Sequence, residues 1–215
     1  MNRRHFIHST AAASFAFGAV PLLAQKSGKR HRTALIGSGW WGMNILREAM
    51  ASKQVQCVAL CDVDETVVLN AADDVKFDFG DTPKTYRDYR EMLAAEKPDI
   101  VIIATPDHWH ALQTIAAVQA GAHVFVEKPT GHTVNESRAM VKAAEDGGTV
   151  VQVGLHRRIG PHHVEAMEFL RNGKIGKVGF VKMFVYGKGR PESPTLNSEP
   201  NEDLDWDLWC GPAPV

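Results

Sequence analysis

A glycine turn between a short apolar strand and a helix, followed 20 residues later by an acid, constrains this chain more than any other feature. Thr33–Ile36 reads as a β-strand, Gly37-Ser38-Gly39-Trp40-Trp41-Gly42 as the turn, and a helix is expected to about Ser52. A second strand, Val55–Asp62, ends on the acid. A strand, glycine turn, helix and acid-ended strand at this spacing form a dinucleotide-binding βαβ unit. Gly37 permits the tight turn, Gly39 lets a pyrophosphate approach the backbone, and Gly42 lets the helix pack close to the strand. The helix N-terminus then offers unpaired N–H groups to the phosphates. Trp41, inside the turn, is counted with the cofactor-binding residues. Asp62 is expected to accept hydrogen bonds from the adenosine ribose and to repel a 2′-phosphate, which favours NAD and leaves NADP open.

The rest of the chain continues the alternation of strands and helices. A helix with acidic residues and a loop around Asp81–Pro83 precede a helix over Arg87–Lys97, which should stop before Pro98. Ile100–Ala104 is a β-branched run typical of a parallel strand buried on both faces. A helix over His110–Ala120, C-capped by Gly121, leads to a strand over Val124–Val126. Thr133 and Glu136 form a capping box for a helix to Glu145, and Thr149–Val153 is the next strand. Pro161 opens a helix that ends near Asn172-Gly173. This alternation predicts an α/β fold, a doubly wound parallel Rossmann sheet over residues 33–155. From residue 156 a second domain is expected, with a strand over Val178–Tyr186 and a polar, proline-rich stretch to Asp203.

Ligands of open α/β sheets lie beyond the carboxyl ends of the strands, and three chemically rich loops fall there. One is Thr105-Pro106-Asp107-His108-Trp109-His110, one is Glu127-Lys128-Pro129, and one is His156-Arg157-Arg158. A lysine at a strand end beside a cofactor can exchange a proton with a hydroxyl as hydride moves, so Lys128 is the candidate catalytic residue. Pro129 stiffens its loop, and a cis bond there is compatible with that role. His110 is expected to hydrogen-bond near the cofactor or cap the helix that begins there. His162 and His163 read as surface or interface histidines, with substrate contact as the alternative. No Cys/His pattern supplies the three or four ligands a zinc site needs, so no metal is expected.

The ends and the charge balance add a location. Residues 1–32 carry Arg3, Arg4, Lys26, Lys29, Arg30 and Arg32 and no acid, leaving 18 of the 24 basic side chains against all 25 acidic ones, a net −7. An acidic body lacks the basic face that nucleic-acid binding needs. Arg3-Arg4 before Phe6, the small-residue run Ser9–Ala24 and the polar linker to Arg32 fit a twin-arginine signal peptide. The run is too short and too rich in Ala and Ser to span a membrane. That export route carries folded proteins, so an exported, periplasmic dinucleotide enzyme must take its cofactor along and regenerate it in place. Three cysteines make no disulfide framework. Cys57 and Cys61 are expected on one face of a strand roughly 13 Å apart, too far to bridge.

These residues resemble the glucose–fructose oxidoreductase, inositol dehydrogenase and rhizopine-catabolism family (Gfo/Idh/MocA). The resemblance rests on Gly37–Gly42, Asp62, Thr105-Pro106-Asp107…His110, Glu127-Lys128-Pro129 and Leu204-Asp205-Trp206-Asp207-Leu208-Trp209…Gly211-Pro212-Ala213-Pro214. It implies a Rossmann half and a substrate half built on an open antiparallel sheet, acting by hydride transfer on a sugar or polyol with Lys128 as the catalytic lysine. It implies that Thr105, Pro106, Asp107, His110, Glu127 and Lys128 line the dinucleotide, and that Arg157 and Arg158 lie near substrate, where His162 joins them as a candidate on its own residue reading. The family's catalytic Asp and His normally follow the Trp-Gly-Pro-Ala-Pro segment, inside which this chain stops at Val215. Residues 156–215 therefore read as the truncated beginning of the substrate domain, and the chain as a fragment. A homo-oligomer is expected of the full-length protein. Two alternatives stay open: an NAD-dependent glycosidase using transient sugar oxidation, against which the lysine at position 128 speaks, and a catalytically incomplete dinucleotide-binding remnant.

Overall fold

The structure, a computed structural model, describes residues 28–184 and 198–213. The chain divides into Met1–Arg30 and His31–Val215, and only Gly28–Arg30 of the first unit are described. The signal-peptide residues 1–24 thus lie outside the described residues, as do Tyr186 and Pro214.

Six parallel strands form one sheet: β1 (His31–Ile36), β2 (Val55–Cys61), β3 (Lys84–Tyr86), β4 (Ile100–Ile103), β5 (His123–Glu127) and β6 (Val151–Gly154). Their order is β3-β2-β1-β4-β5-β6, so the chain reverses its direction of travel at the β1/β4 boundary. That boundary is where an open α/β sheet forms its ligand crevice. Helices α1 (Trp40–Ala51), α2 (Glu65–Phe79), α3 (Tyr89–Glu96), α4 (His110–Gln119) and α5 (Val134–Gly147) connect the strands. Further on come α6 (His156–Ile159), α7 (Pro161–Arg171) and α8 (Trp206–Cys210).

Side-chain alternation along the strands feeds two cores. Leu35, Leu60 and Ile102 meet Met43, Leu46 and Met50 of α1 and Val68, Ala71 and Val75 of α2. Ala34, Ile36, Val101, Ile103 and Val126 meet Met92 and Leu93 of α3, Ala117 of α4 and Met140 of α5 on the other face. Each buried Leu or Ile stabilises the fold by about 1.5–3 kcal/mol. The helix starts are fixed locally. Asp64 caps α2 by accepting from Val67 N at 2.9 Å, and Asp88 caps α3 by accepting from Arg90 N at 2.8 Å. The Thr133–Glu136 capping box of α5 is present in full.

Four sequence expectations need correction. The cap at Asp88 starts α3 two residues later than expected, and the residues before it form β3, a strand too short for a periodicity to reveal. Cys57 and Cys61 lie on opposite faces, in different cores. The register of β1 against β2 shifts between Thr33 and Ala34, so β2 carries an extra residue that inverts its alternation. Asp81 Oδ2 accepts from Cys57 N at 3.0 Å beside this irregularity. Burial first, and the Asp81 charge second, push the Cys57 thiol up to about 12, so it stays protonated. His156-Arg157-Arg158 is the first turn of α6 rather than a loop. Residues 178–184 form no strand, and Phe180, Val181 and Met183 are exposed. Helix α7 likewise contributes no buried residue, and the described part of residues 156–213 contains no second sheet.

A charged cluster ties β1, β3 and α3 together. Buried Glu96 accepts from Tyr86 Oη at 2.6 Å, Lys84 Nζ at 2.8 Å and Arg32 Nη2 at 3.1 Å. The Lys84 bond foremost, then that of Tyr86, holds the Glu96 carboxyl below the usual range. A depressed carboxyl stabilises the fold above its unfolded pKa, and that contribution disappears as pH falls through the folded value. Glu96→Gln should therefore lower stability at pH 7 by about 1–2 kcal/mol, the exposed cations being screened. The wild-type advantage should vanish in urea unfolding at acid pH; a deficit independent of pH would contradict the assignment.

Candidate dinucleotide site

Three glycines shape the turn after β1, for three different reasons. Gly37 has φ +88°, and a Cβ there would lie 2.7 Å from the Ala104 carbonyl at the end of β4. At Gly42 a Cβ would come within 1.9 Å of the Gly37 oxygen, so only a glycine lets α1 start this close to β1. At Gly39 a Cβ would meet nothing within 4 Å. Packing does not explain that glycine. The space over it opens at the N-terminus of α1, where backbone N–H groups await an acceptor. The turn fits a pyrophosphate, which needs both the room and the donors.

Asp62 follows β2 and faces this turn. Its Oδ2 accepts from Ser38 N at 2.7 Å and its Oδ1 from Asp64 N at 3.1 Å. Two backbone donors fix the carboxylate plane and leave lone pairs for further donors, such as the two hydroxyls of a ribose. Burial raises the Asp62 carboxyl above its ordinary range, and the hydrogen bonds from Asp64 and Ser38 oppose that rise.

A cavity of about 210 Å³ lies at the β1/β4 boundary. Gly37, Gly39, Asp62, Thr105 and Pro106, all expected from the sequence, line it. Arg87, Tyr89, Gln113, Leu208 and Trp209 line it too, and the sequence did not single these out for the site. Trp209 had a signal in the Trp-rich motif; Arg87 had none. Gln113 is buried and its Oε1 accepts from Thr105 Oγ1 at 2.7 Å, holding that loop.

The remaining expected residues spread along the same strand ends without lining this cavity. His110 is buried, with Nδ1 2.5 Å from the Pro129 oxygen and Nε2 2.8 Å from the Thr105 oxygen. One imidazole thereby joins the loop after β4 to the loop after β5. The Lys128–Pro129 peptide is cis. Lys128 is exposed, next to buried Glu127, whose Oε2 accepts from Lys128 N at 3.2 Å. Glu127 is accommodated because position 154 is glycine, where a Cβ would meet Glu127 Oε1 at 2.3 Å. Asp107 is exposed at the start of a 3-10 turn. Trp41 turns to the other face of the sheet, its ring 5.4 Å from that of His156, beside a second groove that Glu127 and Phe125 also line. Arg157, Arg158 and His162 are exposed on α6 and α7, and the His162 ring lies 4.1 Å from that of His163. The structure does not bring these three to the cavity.

Residues 31–155 match the model of an oxidoreductase family with an NAD-binding Rossmann fold, GFO_IDH_MocA. A glycosyl hydrolase family 109 protein of Stenotrophomonas maltophilia is 35% identical over 191 residues, 83% of this chain and 40% of that protein. The crystal structure of myo-inositol 2-dehydrogenase from Lactobacillus plantarum is 32% identical, with a TM-score of 0.63 over 70% of this chain and 43% of that one. The WlbA dehydrogenase from Bordetella pertussis, solved in complex with NADH and UDP-GlcNAcA, is 25% identical, with a TM-score of 0.60 over 70% of this chain and 42% of that one. The chain spans less than half the length of each of these proteins. The chain belongs to the Gfo/Idh/MocA oxidoreductases, with their NAD-binding Rossmann fold.

Proposed function

We propose that this chain is the nucleotide-binding part of an oxidoreductase that transfers hydride between NAD and a sugar or polyol, with Lys128 in proton transfer. The observation that carries the reading is the Asp62 carboxylate, held by two backbone N–H groups in a cavity that the uncrowded Gly39 also lines. Bound NAD supplies the hydride acceptor or donor. Asp62 holds the ribose hydroxyls, and the α1 N-terminus holds the pyrophosphate. Lys128, directly after β5, takes or gives the hydroxyl proton. Arg157, Arg158 and His162 would reach substrate from α6 and α7. The kinship with inositol and nucleotide-sugar dehydrogenases supports a polyhydroxylated substrate.

A glycosidase reading has support of its own, because the 35%-identical relative is named a glycosyl hydrolase family 109 protein. In that cycle a sugar is oxidised, its aglycone eliminated, water added in the aglycone's place and the resulting ketone reduced, with no net change in NAD. The two readings part on one assay. Release of nitrophenol from aryl glycosides without NADH accumulation favours the glycosidase, and NADH accumulation with a free sugar favours the dehydrogenase. Arg3-Arg4 and the run Ser9–Ala24 support export by the twin-arginine route with the cofactor inside. Export in that form predicts that the mature protein purifies with a dinucleotide bound; recovery of an empty protein contradicts it.

Two substitutions test the roles. Lys128→Ala should cut turnover of a responsive sugar by about 10²–10⁴-fold while leaving the NADH dissociation constant within about 3-fold. Asp62→Asn should weaken NADH binding by about 10-fold or more, the worth of a hydrogen bond to a charged acceptor. Because burial raises the Asp62 carboxyl, wild-type affinity for NADH should fall on acidification sooner than an ordinary aspartate would allow. The Asn variant should lack that fall, as read by fluorescence titration across pH.

A further inference from the structure

Residues 203–211 cross the dinucleotide cavity as a strap with both ends fastened. At one end Asp205 N donates to Val63 O at 2.9 Å and Glu65 N donates to Asp203 O at 3.0 Å, while Asp64 and Leu204 form an isolated antiparallel bridge. Thr66 Oγ1 adds a bond to Asp203 Oδ2 at 2.6 Å. These partners all belong to the loop and helix start directly after Asp62. At the other end Trp109 Nε1 donates to Leu208 O at 2.9 Å, and His108 Nε2 lies 2.9 Å from Trp209 O. The Trp109 ring also presses on Gly211, where a Cβ would come within 2.2 Å of it. These partners belong to the turn after β4. Helix α8, which carries this second fastening, starts at its Asp205 cap, whose Oδ1 accepts from Leu208 N at 3.0 Å, and its Trp206 and Trp209 rings stack 5.1 Å apart. Leu208 and Trp209 face the cavity from this strap, across from Asp62 and the end of β2.

We propose that this strap encloses the adenosine half of the cofactor and makes its release slow. The inference rests on the NAD reading above. In a Rossmann site the acid at the end of β2 takes the adenosine ribose, so the base attached to that ribose belongs in the part of the cavity around Asp62, Arg87 and Tyr89. Trp209 supplies an aromatic face there and Leu208 an apolar contact, and neither reads the base by hydrogen bonds. The two fastening points lie on the two loops that flank the cofactor's path. A bound dinucleotide can leave only when one of them detaches. An enzyme that regenerates its cofactor in place needs this property, and the strap provides it without a covalent link.

The test uses the full chain loaded with NADH and chased with excess NAD, with release followed by NADH fluorescence. Trp209→Ala should release NADH about 10-fold faster or more, the worth of one base–aromatic contact. It should weaken AMP by a similar factor and leave nicotinamide mononucleotide unchanged. Thr66→Val removes one exposed fastening and no cavity wall, and should speed release by a smaller factor, about 3-fold, in a protein of unchanged circular dichroism. Unchanged release from both variants overturns the strap and leaves the NAD reading intact. Tighter binding by Trp209→Ala also overturns it, because the strap would then merely obstruct the site. Failure of the wild-type chain to bind NADH at all overturns the NAD reading and the strap together.

Discussion

The absence of a side chain at Gly42 is the constraint on which the rest of this structure depends. A Cβ there would overlap the Gly37 oxygen at 1.9 Å. With hydrogen in its place, α1 begins directly over the end of β1, and its unpaired N–H groups face the crevice at the β1/β4 boundary. The same turn brings Ser38 N to the Asp62 carboxylate. One close approach therefore sets both the free N–H groups of α1 and the position of the Asp62 carboxylate beside the turn. The hydrophobic cores on the two sheet faces hold this arrangement, but they would do so equally well around an empty turn.

Charge is separated along the sheet in a way that divides stability from function. Glu96 gathers Arg32, Lys84 and Tyr86 where α3 ends and β1 and β3 begin. Three side-chain donors occupy it, and it does not line the dinucleotide cavity. Asp62, at the strand ends, is held by backbone donors alone and keeps acceptor capacity to spare. The buried Glu96 carboxyl and the half-buried Asp62 carboxyl accordingly shift in opposite directions: cationic and phenolic partners lower Glu96, and desolvation raises Asp62.

Much of the fold was legible in the sequence because its signals are local. The glycine turn, the β-branched run at Ile100–Ile103, the Thr133–Glu136 capping box and the proline opening α7 each announce an element from a handful of neighbouring residues. Where legibility failed, a tertiary partner made the decision. The faces of Cys57 and Cys61 depend on a register irregularity against β1, and β3 exists because β2 offers it an edge. Residues 178–184 have the composition of a strand but form none.

The site divides along the same line. The sequence by itself determined Gly37, Gly39, Gly42 and Asp62, because their spacing follows from the lengths of one helix and one strand. It also located Lys128 and its proline at a strand end. Only the tertiary structure decided that His110 joins the loops after β4 and β5, that Gln113 holds Thr105, and that Leu208 and Trp209 return across roughly a hundred residues to face the cavity. Those contacts join parts of the chain whose separation carries no period. Hydrogen bonds to backbone carbonyls, such as those His110 and Trp109 make, are nearly blind to the identity of the residue that supplies the oxygen. A sequence therefore shows which side chains are available for such bonds, and the folded backbone alone shows which carbonyls they meet.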